Sequence, residues 1–222
     1  MSKFAGEPAG ALPIDMAGRT PLQGRSKASL ERMLSAARDL MVERGSEDFT
    51  LQEISQRGQA SIGSIYLRFE SKDNLVRAVL AHALQTLSDS ETAMIARLRR
   101  QCLSLADFVP RFVEDYAEVL RINAPLLRLA MARAGNDPLV AVLGKQAADT
   151  AVEQTNAALL QFSGEFAGDD HELRASSAYH IIFATLARQL SLGTISGSAK
   201  VYDWDLIKRE FGRMCLAYLR DR

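Results

Sequence analysis

The chain has 222 residues, enough for one large domain or for a small domain joined to a larger one. Apolar residues make up 47% of it, and 27 basic side chains balance 27 acidic ones. That balance excludes a uniformly basic nucleic-acid binder, so any polyanion site must be a local patch. Cys102 and Cys215 are far apart, form no metal or redox motif, and read as buried thiols in a reducing compartment. The first 24 residues include Glu7 and Asp15 and lack an apolar run, so no secretory signal is expected. The most apolar stretch, AYHIIFATLA, is too short to span a bilayer. These features predict a soluble, cytoplasmic protein.

Residues 1–24 hold three of the six prolines, several glycines and no hydrophobic period, which predicts a disordered arm. Helical period begins at residue 25. Leu30, Met33, Leu34, Ala37, Leu40 and Met41 form a stripe that ends before Gly45, a suitable helix C-cap. TLQE then sets Thr50 as an N-cap with Glu53 three residues on, a capping box for a short helix that turns Leu51 and Ile54 inward. Gly58, Gln59 and Ala60 make a turn. Ser61 caps a third short helix, and Ser71 caps a long fourth helix reaching about Gln101. Further amphipathic segments lie near 105–121, 125–134, 138–162, 171–192 and 203–220. Asn123 and Asp137, each followed closely by proline, are expected to break the run, as are SGEFAGDD (163–170) and GTISGSAK (193–200). No segment reads as a strand and no repeat is visible. The expected fold is all-α: an N-terminal three-helix helix-turn-helix domain over 25–72, then a larger helical domain over 73–222.

Two capped helices joined by a tight turn match the helix-turn-helix pattern, whose second helix enters the DNA major groove. On a wheel of about 100° per residue, Ile65 and Phe69 share the core side with Ile62 beside them. Gly63 and Leu67 fall opposite, flanked by Ser64 and Tyr66. Glycine removes bulk where a duplex could approach, a hydroxyl can bond bases or phosphates, and an exposed leucine can touch a thymine methyl. A tolerated helix glycine and a leucine packed within the protein are the plainer alternative. Arg19, Arg25, Lys27, Arg32 and Arg38 stand against one acid, Glu31, within residues 19–38. Lys72 lies in the first turn of the fourth helix, unfavourable for the helix dipole but well placed for a phosphate there. Such contacts give affinity and register without sequence choice.

The ordered set Thr50, Ile54, Ser61, Gly63, Ser64, Ile65, Tyr66, Phe69, Ser71 and Lys72 strongly resembles the DNA-binding domain of TetR-family (tetracycline-repressor-like) regulators, over residues 29–80. The shared text runs through SAARDLMVERG, TLQEISQRGQAS and IGSIYLRFESKDNLVRAVL. The resemblance implies DNA contacts from Thr50, Ser64, Tyr66, Leu67 and Lys72. It places Ser61, Ile62 and Gly63 in the same block and lets Arg25 and Lys27 reach the minor groove or flanking phosphates. Three positions depart from the family pattern. Its Ala-Gly-Val turn is Gly58-Gln59-Ala60 here, a frequent lysine is Ile62, and a frequent histidine is Leu67.

One helix-turn-helix reads few base pairs, so a two-fold dimer on a palindromic operator is expected. LRASSAYHIIFATLARQLSLG has apolar or small residues on nearly every face, as a helix buried on both sides would. Residues 203–220 carry one stripe of Trp204, Ile207, Phe211, Cys215 and Tyr218, and a second with Leu216 and Leu219. By resemblance, 171–192 and 203–220 pair into the four-helix bundle of a homodimer. Likewise, helices over 105–162 would enclose a mostly hydrophobic small-molecule effector. The candidate ligand residues are Phe108, Phe112, Tyr116, Leu129, Arg133, Gln154 and His180, with Leu120, Met131 and Phe162 beside them. Arg133 or His180 would meet a carboxylate, and ordinary core packing is the alternative for most of the set.

The function implied is a ligand-responsive, sequence-specific transcription regulator, a repressor released from its operator by the effector, with activation the other sign that the sequence leaves open. The alternative is a helical small-molecule or protein-binding module with degenerate DNA binding. His82, His171 and His180 make no metal-ligand spacing, and no nucleophile elbow or phosphate loop is present, so neither an enzyme nor a cofactor or metal is expected.

Overall fold

A computed structural model describes residues 24–192 and 203–221. The expected arm over 1–24, apart from Gly24, and the Gly/Ser linker over 193–200 lie outside the described residues. The described residues form helices and no strand. The chain divides after His82 into two compact units.

In the first unit, α1 (Gly24–Arg44) buries Met33, Ala36, Ala37, Leu40 and Met41 on one face. It stops at Gly45, whose left-handed φ of 61° suits glycine. Helix α2 (Leu51–Arg57) starts on a complete capping box: the Glu53 amide donates to the Thr50 hydroxyl, and the Thr50 amide donates to the Glu53 carboxylate at 2.7 Å. Arg44 also grips Glu53, and with the Thr50 bonds holds that carboxyl down at about 2. Helix α3 (Ile62–Arg68) is capped by Ser61, whose hydroxyl accepts from the Ser64 amide at 3.1 Å. Two seven-residue helices are too short to persist alone. Ile54, Ile65 and Phe69, each at most 2% exposed, anchor them.

The turn between these helices explains the displaced glycine. A Cβ on Gly58 would stand 2.9 Å from the Ile54 carbonyl oxygen and 3.1 Å from that of Arg32. Gln59 follows with φ of 48°, the left-handed conformation that usually falls to glycine. Gly58 thus serves close approach to α1, where Arg32 also donates to the Gly58 carbonyl at 3.2 Å, and Gln59 bears the backbone strain.

Helix α4 (Lys72–Gln101) begins at Ser71, whose hydroxyl accepts from the Asn74 amide. The second unit contains its later turns, α5 (Leu105–Ala134), α6 (Pro138–Leu160), α7 (His171–Gln189) and α8 (Trp204–Arg220). Helix α5 is the centre, packing against α6, α7 and α8. Phe108, Phe112 and Tyr116 run along it as a stacked ladder, ring centroids 5.8 and 5.3 Å apart.

Here the structure corrects one expectation: α5 runs unbroken through Pro125 and through Pro110. An interior proline costs a helix about 3 kcal/mol. Leu120 and Ala124 before Pro125, and Ala130 after it, are all buried, and burying one large apolar side chain returns roughly 1.5–3 kcal/mol. The Leu120 burial, with smaller contributions from the two alanines, offsets the proline. The Asn123 side chain also turns back to the Val119 carbonyl at 2.8 Å instead of capping a new helix. The break at Asp137 is present: its carboxylate caps α6 through the Leu139 and Val140 amides, and Pro138 opens that helix.

Helix α8 is fixed to α5 by a buried ammonium. Lys208 Nζ lies 2.6 Å from Glu114, 3.0 Å from Glu118 and 2.9 Å from Asp205. Burial alone would raise the Glu118 carboxyl. Bonds from Trp204, Arg121 and Lys208 instead hold it at about 2. Gly212 lies against Pro110, where a Cβ would come within 3.1 Å of the proline Cα.

Candidate nucleic-acid interface and ligand cavity

The caps at Thr50, Ser61 and Ser71 fix the ends of α2, α3 and α4, and so decide which face of α3 points outward. Ile65 and Phe69 are buried, whereas Tyr66 is 56% and Leu67 67% exposed. Gly63 is exposed too, and a Cβ added there would meet nothing within 4 Å. No intramolecular contact therefore calls for glycine at 63, although an alanine would favour the helix by about 1 kcal/mol. Ile62 is half-buried at the edge of this face. Ser64 shares its hydroxyl with Ser61 at 2.8 Å. The Thr50 hydroxyl is exposed but engaged by Glu53.

The basic candidates differ in freedom. Lys27 is exposed, and the Arg25 side chain lies outside the described residues. Arg38 pairs with Asp39 at 2.9 Å. Lys72 sits half-buried at the start of α4, its ammonium 4.7 Å from the centroid of the Phe49 ring. That contact steers the stem while leaving an ammonium beside the first turn of a 30-residue helix.

The second unit contains a cavity of about 440 Å³ walled by α4, α5, α6 and α7. Of the candidate ligand residues, Tyr116 and His180 line it, with Leu120 and Met131. Phe108 and Phe112 are buried in the core ladder away from the lining, and Leu129 and Gln154 are also outside it. Gln154 accepts from Thr92 at 3.0 Å. Arg133 is not in the lining either: its guanidinium holds buried Asp137 at 2.9 Å, part of the α5–α6 corner. The His180 Nδ1 lies 2.7 Å from the Ser176 carbonyl, within its own helix.

The cavity's most unusual group is one that the sequence reading passed over. Glu91, 5% exposed, lines the cavity, and burial pushes its carboxyl up to about 8. Two more polar groups stand near it. The Tyr116 and Tyr179 hydroxyls meet at 3.1 Å; burial first, and then the Glu91 charge among other causes, raises both phenols, Tyr179 to about 12. The signal for Glu91 was available: it interrupts the α4 stripe of Leu84, Leu87, Met94 and Leu98 where a leucine would fit. Facing it, α6 presents Ala141, Gly144, Ala148 and Ala151, whose small side chains leave the space open.

A capped pair of short helices, the second turning Gly63, Tyr66 and Leu67 outward, beside a larger helical unit, is the helix-turn-helix arrangement of DNA-binding domains. A family model described as bacterial regulatory proteins, tetR family, matches residues 33–79. Residues 33–79 thus match the model of that family's DNA-binding domain, and the chain shares the fold of the solved regulators it resembles. No curated protein matches the chain. Among solved structures, a proposed TetR-family transcriptional regulator from Mesorhizobium loti is 18% identical, covering 89% of this chain and 98% of its own, with a TM-score of 0.72. The TetR-family regulator PfmR from Thermus thermophilus is 19% identical over 83% of this chain and 97% of its own, with a TM-score of 0.59. The fatty acid degradation regulator FadR from Bacillus halodurans is 13% identical over 87% and 97%, with a TM-score of 0.61. Among the described residues no helix is long and apolar enough to cross a membrane, and no group of three or more His, Cys, Asp or Glu is placed to hold a metal.

Proposed function

We propose that the chain acts as a homodimeric, effector-responsive repressor on a palindromic operator. Residues 25–72 would bind DNA, and 73–222 would dimerise and take the effector. The observation that carries the DNA reading is Gly63: an exposed helix glycine with open space around it, on the face that also exposes Tyr66 and Leu67. A duplex backbone can approach there as it could not approach a larger residue. Ser61, Ile62 and Ser64 border this face, Thr50 stands at the start of α2, and Lys27, Arg25 and Lys72 supply phosphate contacts. These contacts give affinity without sequence choice.

Dimerisation through α7 and α8 is supported by apolar residues left exposed on one chain. Leu173 and Ile181 stand out on α7, and Leu206, Met214 and Tyr218 on α8. Each set recurs at helical spacing, as an unfilled helix-bundle seam does. The 440 Å³ cavity has the size and apolar character of a small-molecule site. An effector there would favour a dimer whose two α3 helices no longer match successive major grooves. By reciprocity, operator DNA then weakens effector binding by the same factor, and tenfold derepression needs about 1.4 kcal/mol of coupling. The reading includes no catalytic step and a cytoplasmic setting.

The test is selection from a random duplex pool, followed by a salt titration on the winner. A palindromic motif whose affinity falls steeply with salt supports the reading. A folded dimer that enriches no sequence sinks it in favour of a helical module without operator recognition.

A further inference from the structure

The polar end of the cavity holds one carboxyl, that of Glu91. Glu91 projects from α4 into a lining that is otherwise mostly alanine, leucine, tyrosine and phenylalanine, and among the described residues no hydrogen bond or ion pair ties its carboxyl. Leaving a carboxyl unpaired away from water is costly, and an apolar residue of similar size would serve packing better. Of the basic groups in the lining, Lys145 pairs with Asp149 at 2.6 Å on the exposed rim, and His180 is tied through Nδ1 to the Ser176 carbonyl of its own helix. Arg133, the other carboxylate-binding candidate, holds Asp137 away from the lining. Aromatic rings complete the surroundings: Tyr179 lies 5.9 Å from Tyr116 and 6.3 Å from Phe183, centroid to centroid.

We infer that the cavity takes an apolar ligand carrying a positive charge, an amine or quaternary ammonium, with the Glu91 carboxylate as counter-ion and the neighbouring aromatic rings against the cationic head. This rests on the reading of the cavity as the effector site and specifies its ligand class. An anionic head would place a second negative charge beside Glu91, whereas a cation meets both the carboxylate and the negative faces of the rings. Proton linkage follows. The groups facing Glu91 are Tyr116 from α5 and Tyr179 and His180 from α7, with Lys145 of α6 at the rim. With its carboxyl raised to about 8, Glu91 is mostly protonated at neutral pH in the empty cavity, so a bound cation must displace that proton. Affinity for the cation then rises with pH up to that value and levels off above it.

The experiment is calorimetric titration of the full-length protein with decyltrimethylammonium, decanol and decanoate, three heads on one chain. It is run at neutral pH in two buffers of different ionisation enthalpy. The expected order is ammonium tightest by roughly tenfold, then decanol, then decanoate, with proton release accompanying the ammonium alone. Glu91→Gln should remove that preference and the proton release while still binding decanol, which also shows that the variant's cavity is intact. Decanoate binding tightest, or an ammonium preference that survives Glu91→Gln, overturns the assignment. Equal binding of all three overturns it and leaves the effector site standing. Binding of none by the folded protein overturns both.

Discussion

The outward face of α3 and the wall of the cavity both hold residues that the fold itself does not require, but they hold them differently. On α3 the surplus is exposure: Tyr66 and Leu67 stand in solvent, and Gly63 gives up helix propensity with no neighbour to accommodate. In the cavity the surplus is burial: Glu91 loses solvation with no bond from the described residues in return. An exposed surplus contributes nothing to stability and is cheap to remove, whereas a buried one weakens the fold that carries it. Operator affinity and protein stability should therefore separate cleanly in the first region and be coupled in the second.

The largest effect should come from Glu91. Its carboxyl titrates near its ordinary 4.5 when unfolded and at about 8 when folded, so the folded state binds the extra proton between those values. Stability then falls as pH rises through that window. Glu91→Gln should remove the loss, gaining about 3 kcal/mol over the parent between about pH 5 and pH 8 in paired denaturant titrations. A constant difference across pH would mean that the carboxyl is solvated after all. Next, Tyr66→Ala should weaken operator binding by about 2 kcal/mol with an unchanged melting temperature; unchanged affinity removes Tyr66 from the interface. Gly63→Ala gives the sharpest separation: about 1 kcal/mol more stable by propensity, yet weaker on the operator. If both quantities rise, no duplex approaches that face closely. Lys72→Ala should weaken all DNA sequences alike and lower the salt slope by about 1. A changed sequence preference would make Lys72 a reader of bases. Smallest, Gln59→Gly should relieve the left-handed strain and stabilise the first unit by up to about 1 kcal/mol, read from its denaturation midpoint.

The first unit was the more legible in sequence because its signals are local. Thr50 with Glu53, then Ser61 and Ser71, mark three helix starts within a few residues each, and the wheel they anchor turns Ile65 inward and Tyr66 outward. Even there, the strain at Gln59 was hidden, since nothing in Gly58-Gln59-Ala60 announces that Arg32 crosses so near. In the second unit the deciding facts are distant. Pro125 reads as a helix stop until the burial on both sides of it is counted. The cavity draws on four helices, so Phe108 and Phe112 could not be told from Tyr116, which shares their stripe but reaches the opening. Glu91 alone had a local mark, an acid on an apolar stripe.

Lys208 has a bearing on any motion of the proposed dimer surface. Turning α8 by one residue, or sliding it by one helical turn along α5, would pull that ammonium off Glu114 and Glu118 and carry Gly212 away from Pro110, bringing a residue with a side chain into that close approach. The two helices are keyed together like a bolt and its slot. Leu206, Met214 and Tyr218 thus ride on α5, whose other side borders the cavity through Leu120, Leu127 and Met131. A ligand that shifts α5 would carry this face along as one piece, without local slippage to absorb the movement.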